Sequence, residues 1–397
     1  MEHFDCVVIG GGMVGATSAL TLAQLGLKVA LVEKFTPKLF TAEQAFDLRV
    51  SAISIASENL LTQVGAWQHI QQWRSCPYKR LGVGESGSTY TEFNAKDIEQ
   101  RHLGHIVENR LLQLALWQEI EKLENIHLFC PESLEALDQT TDKAIVTLTN
   151  SILTAKLVVG ADGAQSKVRQ MSGIGITGWD YKQSAMLINV ETSLAQQDIT
   201  WQQFAPTGPV AFLPLAGTSD LGGYGSLVWY HQPDEIARLA ALSNIQLKQE
   251  ILKNFPEKLG DINVIAKGSF PLTRRHANTY QHKRVLLLGD AAHTISPMAG
   301  QGVNLGFKDV LALQHVIAEA IDGGEAWYDE QVLARYEKAR RSDNLLMMST
   351  MDALYLGFSH PSPVVKGLRN LALLAINKVP VLNSTIKNKA LAYACGL

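Results

Sequence analysis

Acidic residues run out before the chain does. From Ala353 to Leu397 there is no Asp or Glu, while Lys366, Arg369, Lys378, Lys387 and Lys389 remain. Cysteine is scarce as well. Cys6, Cys76, Cys130 and Cys395 are far apart, with no CxxC pair and no metal-like spacing, which points to reduced thiols in a cytoplasmic chain. No apolar run is fit to span a bilayer, since the longest uncharged stretch, 199–219, is broken by prolines, glycines and glutamines. The opening MEHFD has neither the basic nor the apolar region of a signal peptide. GxSxG, HExxH and paired acids are all missing, so nothing signals a nucleophile, a zinc protease or a two-carboxylate mechanism. A net charge of −3 speaks against general nucleic-acid binding.

What is present suits a globular protein: 46% apolar and 18% charged residues over 397 positions, enough for two domains or one α/β body with a satellite. Near the start, FDCVVI reads as a buried strand that runs into Gly10-Gly-Gly12-Met13-Val14-Gly15, then a helical pattern, then the strand 27–32 closed by Glu33. Strand, glycine turn, helix, strand and acid is the order of a dinucleotide cradle. Gly10 permits the turn, Gly12 lets backbone approach a pyrophosphate, Gly15 lets the helix sit close, and Glu33 can accept ribose hydroxyls. The bare GxGxxG pattern recurs at Gly82–Gly87 and Gly173–Gly178. Both are followed by strand-like sequence instead of a helix, which makes those glycines turns.

Two further segments repeat the theme of strand, glycine and carboxylate. VLLLGDAAHTISPMAGQGVN, 285–304, brings Asp290 to the carboxyl end of a buried strand, where open α/β sheets bind ligands. A carboxylate there suits a polyol, which FAD has in its ribityl chain and NAD lacks. The bare loop and the helix beginning at Asn304 would meet a flavin ring and stabilise the negative charge of its reduced form. LVVGADGAQSKVR, 157–169, carries Asp162 and Ser166, which on their own would read as helix caps.

These three segments, in this order and spacing, resemble the fingerprints of single-component FAD-dependent aromatic hydroxylases of the para-hydroxybenzoate hydroxylase type. DLRVSAISIAS (47–57), IVENRLLQLALW (106–117), WQQFAPTGPVAFLPL (201–215), SLVWY (226–230) and FPLTRRHA (270–277) are similar to the ubiquinone-biosynthesis branch of that family. The resemblance implies an α/β fold: a Rossmann-like, glutathione-reductase-like FAD-binding domain from 1–75, 101–180 and 276–345, with an inserted mixed-sheet substrate domain from 76–100 and 181–275. A C-terminal helical segment, 346–397, would follow. It implies that Gly10, Gly12, Met13, Val14, Gly15 and Glu33 hold the ADP half and that Asn109 faces the phosphates. Many relatives outside the branch carry Arg where this chain has Asn109. Arg49 would lie by the flavin, Asp290 on the ribityl chain, and Gly300, Gly302, Val303 and Asn304 at the isoalloxazine. Asp162 and Arg169 would serve the pyrophosphate and a transient nicotinamide donor.

The implied reaction consumes O2 and electrons from NAD(P)H or another donor. A flavin C4a-hydroperoxide delivers oxygen to an electron-rich ring, here a polyprenylated benzoquinol, and the protein's main task is to exclude water. Phe212, Pro214, Trp229, Pro297 and Met298 are candidate pocket residues, each equally able to be core. His293 reads as a structural histidine more readily than a base. Arg274 and Arg275 could meet a nicotinamide phosphate or end a strand. Val364, Leu368, Leu371 and Ala375 fall at helical spacing beside Lys366 and Arg369, so the tail could pack on its own body, lie on an anionic membrane or meet a ubiquinone-biosynthesis complex. Two other functions stay open: hydroxylation of a small soluble aromatic, and a weakly active flavin-holding scaffold.

Overall fold

The structure, a computed structural model, describes residues 1–85, 90–205, 207–295, 300, 302–359, 388–389, 391–393 and 395–396. The strand Glu2–Ile9 lies inside an eight-stranded sheet. Its path runs Gln281–His282, Val285–Leu287, Ile152–Gly160, Glu2–Ile9, Val29–Val32 and Ile126–Phe129. The middle strands are parallel, with Cys6 beside Leu157 on one flank and Val29 on the other. Such strands are covered on both faces and therefore read as unbroken apolar runs; VALV at 29–32 is buried throughout. The helix Met13–Gln24 packs on both Asn109–Ile120 and Gly302–Asp322, which together cover the sheet. A hairpin, Leu134–Gln139 with Ala144–Leu148, extends it through Ile152–Gly160.

A second eight-stranded sheet stands over the carboxyl ends of the first. Its spine is the antiparallel pair Ile176–Thr192 and Ile262–Ala277, flanked by Gly223–His231, Val210–Thr218 and Ile199–Phe204. Ile199–Phe204 runs parallel to Arg80–Glu85, so the sheet is mixed, as the sequence predicts. The helices Pro233–Ala241 and Asn244–Asn254 bury one face of it, the latter started by a Ser243–Gln246 capping box. A small sheet of Val50–Ser54, Gly104–Glu108 and Cys76–Tyr78 joins the two.

Three expectations change. Gly82, Gly84 and Gly178 lie within strands and not in turns. Gly178 is small because a Cβ there would sit 2.1 Å from the Arg274 carbonyl oxygen. Residues 76–78 pair with Gly104–Glu108 and not with the roof, and the roof strand begins already at Ile176.

The last long helix, Glu330–Ser359, crosses from one sheet to the other. Tyr336 donates to the Leu287 carbonyl at 2.9 Å. Further along, Asp352 lies 2.8 Å from Arg274 Nε and also accepts from the Tyr181 hydroxyl. Arg274 in turn stacks on Trp179 at 4.3 Å, and Arg275 pairs with Asp180, so both arginines have protein partners. The amphipathic stretch 364–375 lies outside the described residues. Leu391 and Cys395 are described and buried, the thiol donating to the Leu103 carbonyl at 3.5 Å. Among the described residues no helix is long and apolar enough to cross a membrane.

Arg274 is 7% exposed, so removing its partner leaves a buried cation unpaired. Asp352→Ala should lower unfolding free energy in urea by about 2–3 kcal/mol, with Asp352→Asn recovering part of it.

Candidate active site

The loop after the first strand is held from behind. Gly10 N–H donates to Val32 O and Ala161 N–H to Ile9 O, both at 2.8 Å, drawing the two strand ends together. Gly10 has φ +104°, and a Cβ there would stand 2.4 Å from Ala161 O. At Gly15 a Cβ would come within 1.8 Å of Gly10 O, so helix and turn touch through backbone. Trp117 and Gln113 both donate to the Gly11 carbonyl, at 2.8 and 2.9 Å. The Gly11 N–H reaches Glu33 Oε2 at 2.7 Å, and Phe35 N–H reaches Oε1 at 3.0 Å. Each Glu33 oxygen thus keeps acceptor capacity, aimed along the groove. Gly12 is the N-cap, has no side chain, and nothing stands within 4 Å of where its Cβ would be. The first amides of the helix Met13–Gln24 therefore face open space.

That space is a groove of about 990 Å³ bordered by Gly10, Gly12, Met13, Glu33, Asn109 and Asp162. It continues into a cavity of about 890 Å³ under the second sheet. Gly12, Met13, Arg49, Asn109, Ala161, Gly163 and Asp290 border both, which makes one trough with a polar end and an apolar end. The size is that of a small-molecule or cofactor site.

Asp290 forms the wall between the two ends. Its carboxylate has no hydrogen-bond partner among the described residues and opens onto the groove, while surrounding protein desolvates it and raises its pKa. Nearby Arg49 also reaches the trough, and its guanidinium has no ion-pair or hydrogen-bond partner among the described residues. An open carboxylate and an open guanidinium thus stand in one cleft, where a ligand carrying both donors and acceptors can meet them. Val14, Gly300, Gly302 and Val303 border the apolar end beside them.

Beneath Asp290 lies a buried polar network. Asp309, fully buried, accepts from Gly289 N–H at 3.0 Å, Arg340 Nε at 2.8 Å and Asn344 Nδ2 at 3.1 Å, and its other contact is His293 Nε2 at 2.5 Å. Burial pushes its carboxyl up, but His293 and Arg340 outweigh this and hold the pKa down to about 2. The network continues through Asn344 to the Tyr280 hydroxyl and on to His276. His293 is structural, a support for the turn.

Several expected residues sit behind the walls. Arg169 is buried and donates to the Ala291 and Ala164 carbonyls, tying the 160–169 loop to the Asp290 turn. Asp162 Oδ2 caps the helix Lys167–Met171 through Lys167 and Val168 N–H, and Oδ1 is buried without a partner. Asn304 is buried, accepting from Ser54 N–H and Ser57 Oγ and donating to Ala52 O, so it locks the helix Gly302–Asp322 to the strand Val50–Ser54. Phe212, Pro214 and Trp229 do not border the trough. Their neighbours Ala211, Leu213, Val228 and Tyr230 do, because successive strand residues face opposite sides. Phe212 stacks on Trp201, and Trp229 meets Phe255 beneath the helices. Pro297 and Met298 lie outside the described residues. Leu187, Phe204, Leu272, Leu391 and Cys395 line the cavity without having been read from sequence.

The chain matches the family described as FAD binding domain over residues 3–348. It belongs to that family. Over 394 residues it is 46% identical to 3-demethoxyubiquinol 3-hydroxylase of Escherichia coli K12, covering 99% of this chain and 98% of that one. It is 35% identical to a ubiquinone hydroxylase of Rhodospirillum rubrum over 377 residues, 94% of this chain and 86% of the relative. Among solved structures, p-nitrophenol 4-monooxygenase of Pseudomonas putida superposes with a TM-score of 0.80 at 19% identity, covering 100% and 99% of the two chains, a likeness of fold. The chain is thus an FAD-dependent monooxygenase.

In this flavin monooxygenase the buried network also sets acid sensitivity. Burial, with the charges of His293, Arg341 and Arg274, lowers the His276 pKa from 6.5 to about 4. His276 is neutral in the fold, and the unfolded chain takes up its proton first. Stability is therefore full above pH 6.5 and falls between 6.5 and about 4, by up to roughly 3 kcal/mol. Urea melts from pH 7 to 4 should show that slope, and His276→Gln should remove most of it.

Proposed function

We propose that this protein hydroxylates the ring of a polyprenylated benzoquinol on the route to ubiquinone. The observation that carries the reading is the 46% identity to 3-demethoxyubiquinol 3-hydroxylase along 99% of the chain. The trough supports it. The roof of its apolar end includes Leu187, Phe204, Ala211, Leu213, Val228 and Leu272, and among the described residues that border this end the charged ones are Arg49 and Asp290, both on the floor. A small aromatic acid would call for a roof cation to pair its carboxylate, and an apolar ring with a prenyl chain does not.

When bound, FAD supplies the activated oxygen that an electron-rich ring attacks. The protein's residues bind, orient and keep water away. Glu33 would take the ribose hydroxyls, and the amides of Gly12, Met13 and Val14 the pyrophosphate, with Asn109 opposite. Asp290 would accept from the ribityl hydroxyls. The backbone of Gly300, Gly302 and Val303 would meet the pyrimidine edge at a helix start, where positive potential favours negative charge on the ring. Arg49 would lie alongside as the free cation. Arg169 and Asn304 act at one remove, fixing the loops that carry these contacts. The roof excludes water from the reacting atoms. Electrons would come from NAD(P)H or another donor, and O2 is the co-substrate. The acid-free tail, 353–397, with its five basic residues, favours a protein that visits an anionic membrane surface or a biosynthetic complex to collect its substrate.

Two experiments test this reading. Asp290→Ala should purify with most of its flavin lost, seen as missing visible absorbance; full retention would remove Asp290 from the cofactor site. In cells lacking the protein, mass spectrometry of the quinone pool should show the intermediate one hydroxylation and one O-methylation short of ubiquinone. An unchanged pool would return the assignment to soluble aromatics.

A further inference from the structure

A second cluster of ligand-type side chains stands outside the trough. Glu58 projects from the helix Ile55–Gln63, and His102 and His105 flank the start of the strand Gly104–Glu108. One carboxylate oxygen and two ring nitrogens lie within 4.8 Å of one another. Both imidazoles converge on the same oxygen: Glu58 Oε2 is 2.7 Å from His102 Nε2 and 3.2 Å from His105 Nδ1. His105 is 7% exposed, and its Nδ1 makes no hydrogen bond of acceptable geometry. The ring has little freedom to turn, being held edge-on by Trp67 at 4.9 Å and His102 at 4.4 Å.

Hydrogen bonding alone accounts poorly for this arrangement, since it leaves a buried ring nitrogen aimed at a carboxylate without a satisfied bond. A cation bound at about 2.0–2.2 Å would satisfy all three groups, and tetrahedral ligands of such an ion stand roughly 3.3–3.5 Å apart. Two imidazoles and one carboxylate, with a side open to water, form the donor set of a three-ligand zinc site, while calcium and magnesium prefer oxygen. We propose that Glu58, His102 and His105 bind a divalent transition ion of the zinc type.

The position gives such an ion a consequence. Leu103, between the two histidines, lines the substrate cavity, and its carbonyl accepts from Cys395. The helix bearing Glu58 starts at Ser54, whose N–H is bonded to Asn304. An ion bridging Glu58 to His102 and His105 would pin one wall of the cavity to the helix that braces the cofactor loop.

The test is calorimetric titration of Zn2+ into the full-length, FAD-loaded protein after dialysis against chelator. One equivalent should bind with a micromolar or tighter Kd. Glu58→Gln and His102→Ala should each weaken it at least tenfold while retaining flavin absorbance, which shows that the fold survives. Absence of a one-to-one Zn2+ event would overturn the site and leave a hydrogen-bonded cluster. So would wild-type affinity in the Glu58→Gln, His102→Ala double variant, since binding would then lie elsewhere.

Discussion

A buried carboxylate supports the turn on which the site depends. Asp309 has no exposure, yet remains ionised because a backbone amide, an imidazole, a guanidinium and a carboxamide all converge on it. Burying such a charge costs several kcal/mol unless every lone pair is used. Here the donors come from separate parts of the chain: Gly289 and His293 from the turn, Arg340 and Asn344 from the last helix. The same atoms that neutralise Asp309 therefore fix the turn that presents Asp290. This fixes the position of Asp290, whose own carboxylate is left open to the groove.

The ends of the parallel strands were legible in the sequence because their chemistry is local. A glycine that must clear a carbonyl, an acid closing the next strand and a carboxylate at a strand terminus each leave a mark within a few residues. Gly10, Gly15, Glu33 and Asp290 all stand where that logic puts them. The mixed roof sheet was also legible as strands, though not as faces. Ordinarily one face of an antiparallel sheet is wet, and alternation reveals which side is the core. This roof is dry on both sides, with Phe255 and its helices above and the cavity below. Phe212 and Leu213, or Val228 and Trp229, are then equally apolar neighbours, and nothing in the composition tells which one faces the trough.

A different ambiguity affected the polar members of the loops. Arg169 and Asn304 lie in segments that border the trough, and their residue types suit a ligand as well as a neighbouring backbone. The structure turns both inward, Arg169 to two carbonyls and Asn304 to strand and helix. Distance along the chain hides such roles: Arg169 is 122 residues from Ala291, and Asn304 is 250 from Ser54. The Glu58, His102 and His105 cluster was invisible for the same reason. Its acid lies 44 residues before His102, so the short His102–His105 spacing alone does not announce it.

The trough asks for opposite conditions at its two ends, and the last helix reconciles them. At the polar end, amides and carboxylates must stay open to a charged ligand; at the apolar end, water must be kept out. Glu330–Ser359 serves both, since Arg340 and Asn344 brace the turn under the polar end while Met351 lines the cavity. Asp352, one residue on, binds the helix to the roof through Arg274 and Tyr181. Floor and roof thus share one rigid rod, and a displacement of that helix would disturb cofactor support and cavity closure together. Leu391 and Cys395, returning from the far end of the chain, complete the same wall beside Leu103. These two residues are therefore part of the enclosure, and an apolar cavity is closed in part by the last few residues of the chain.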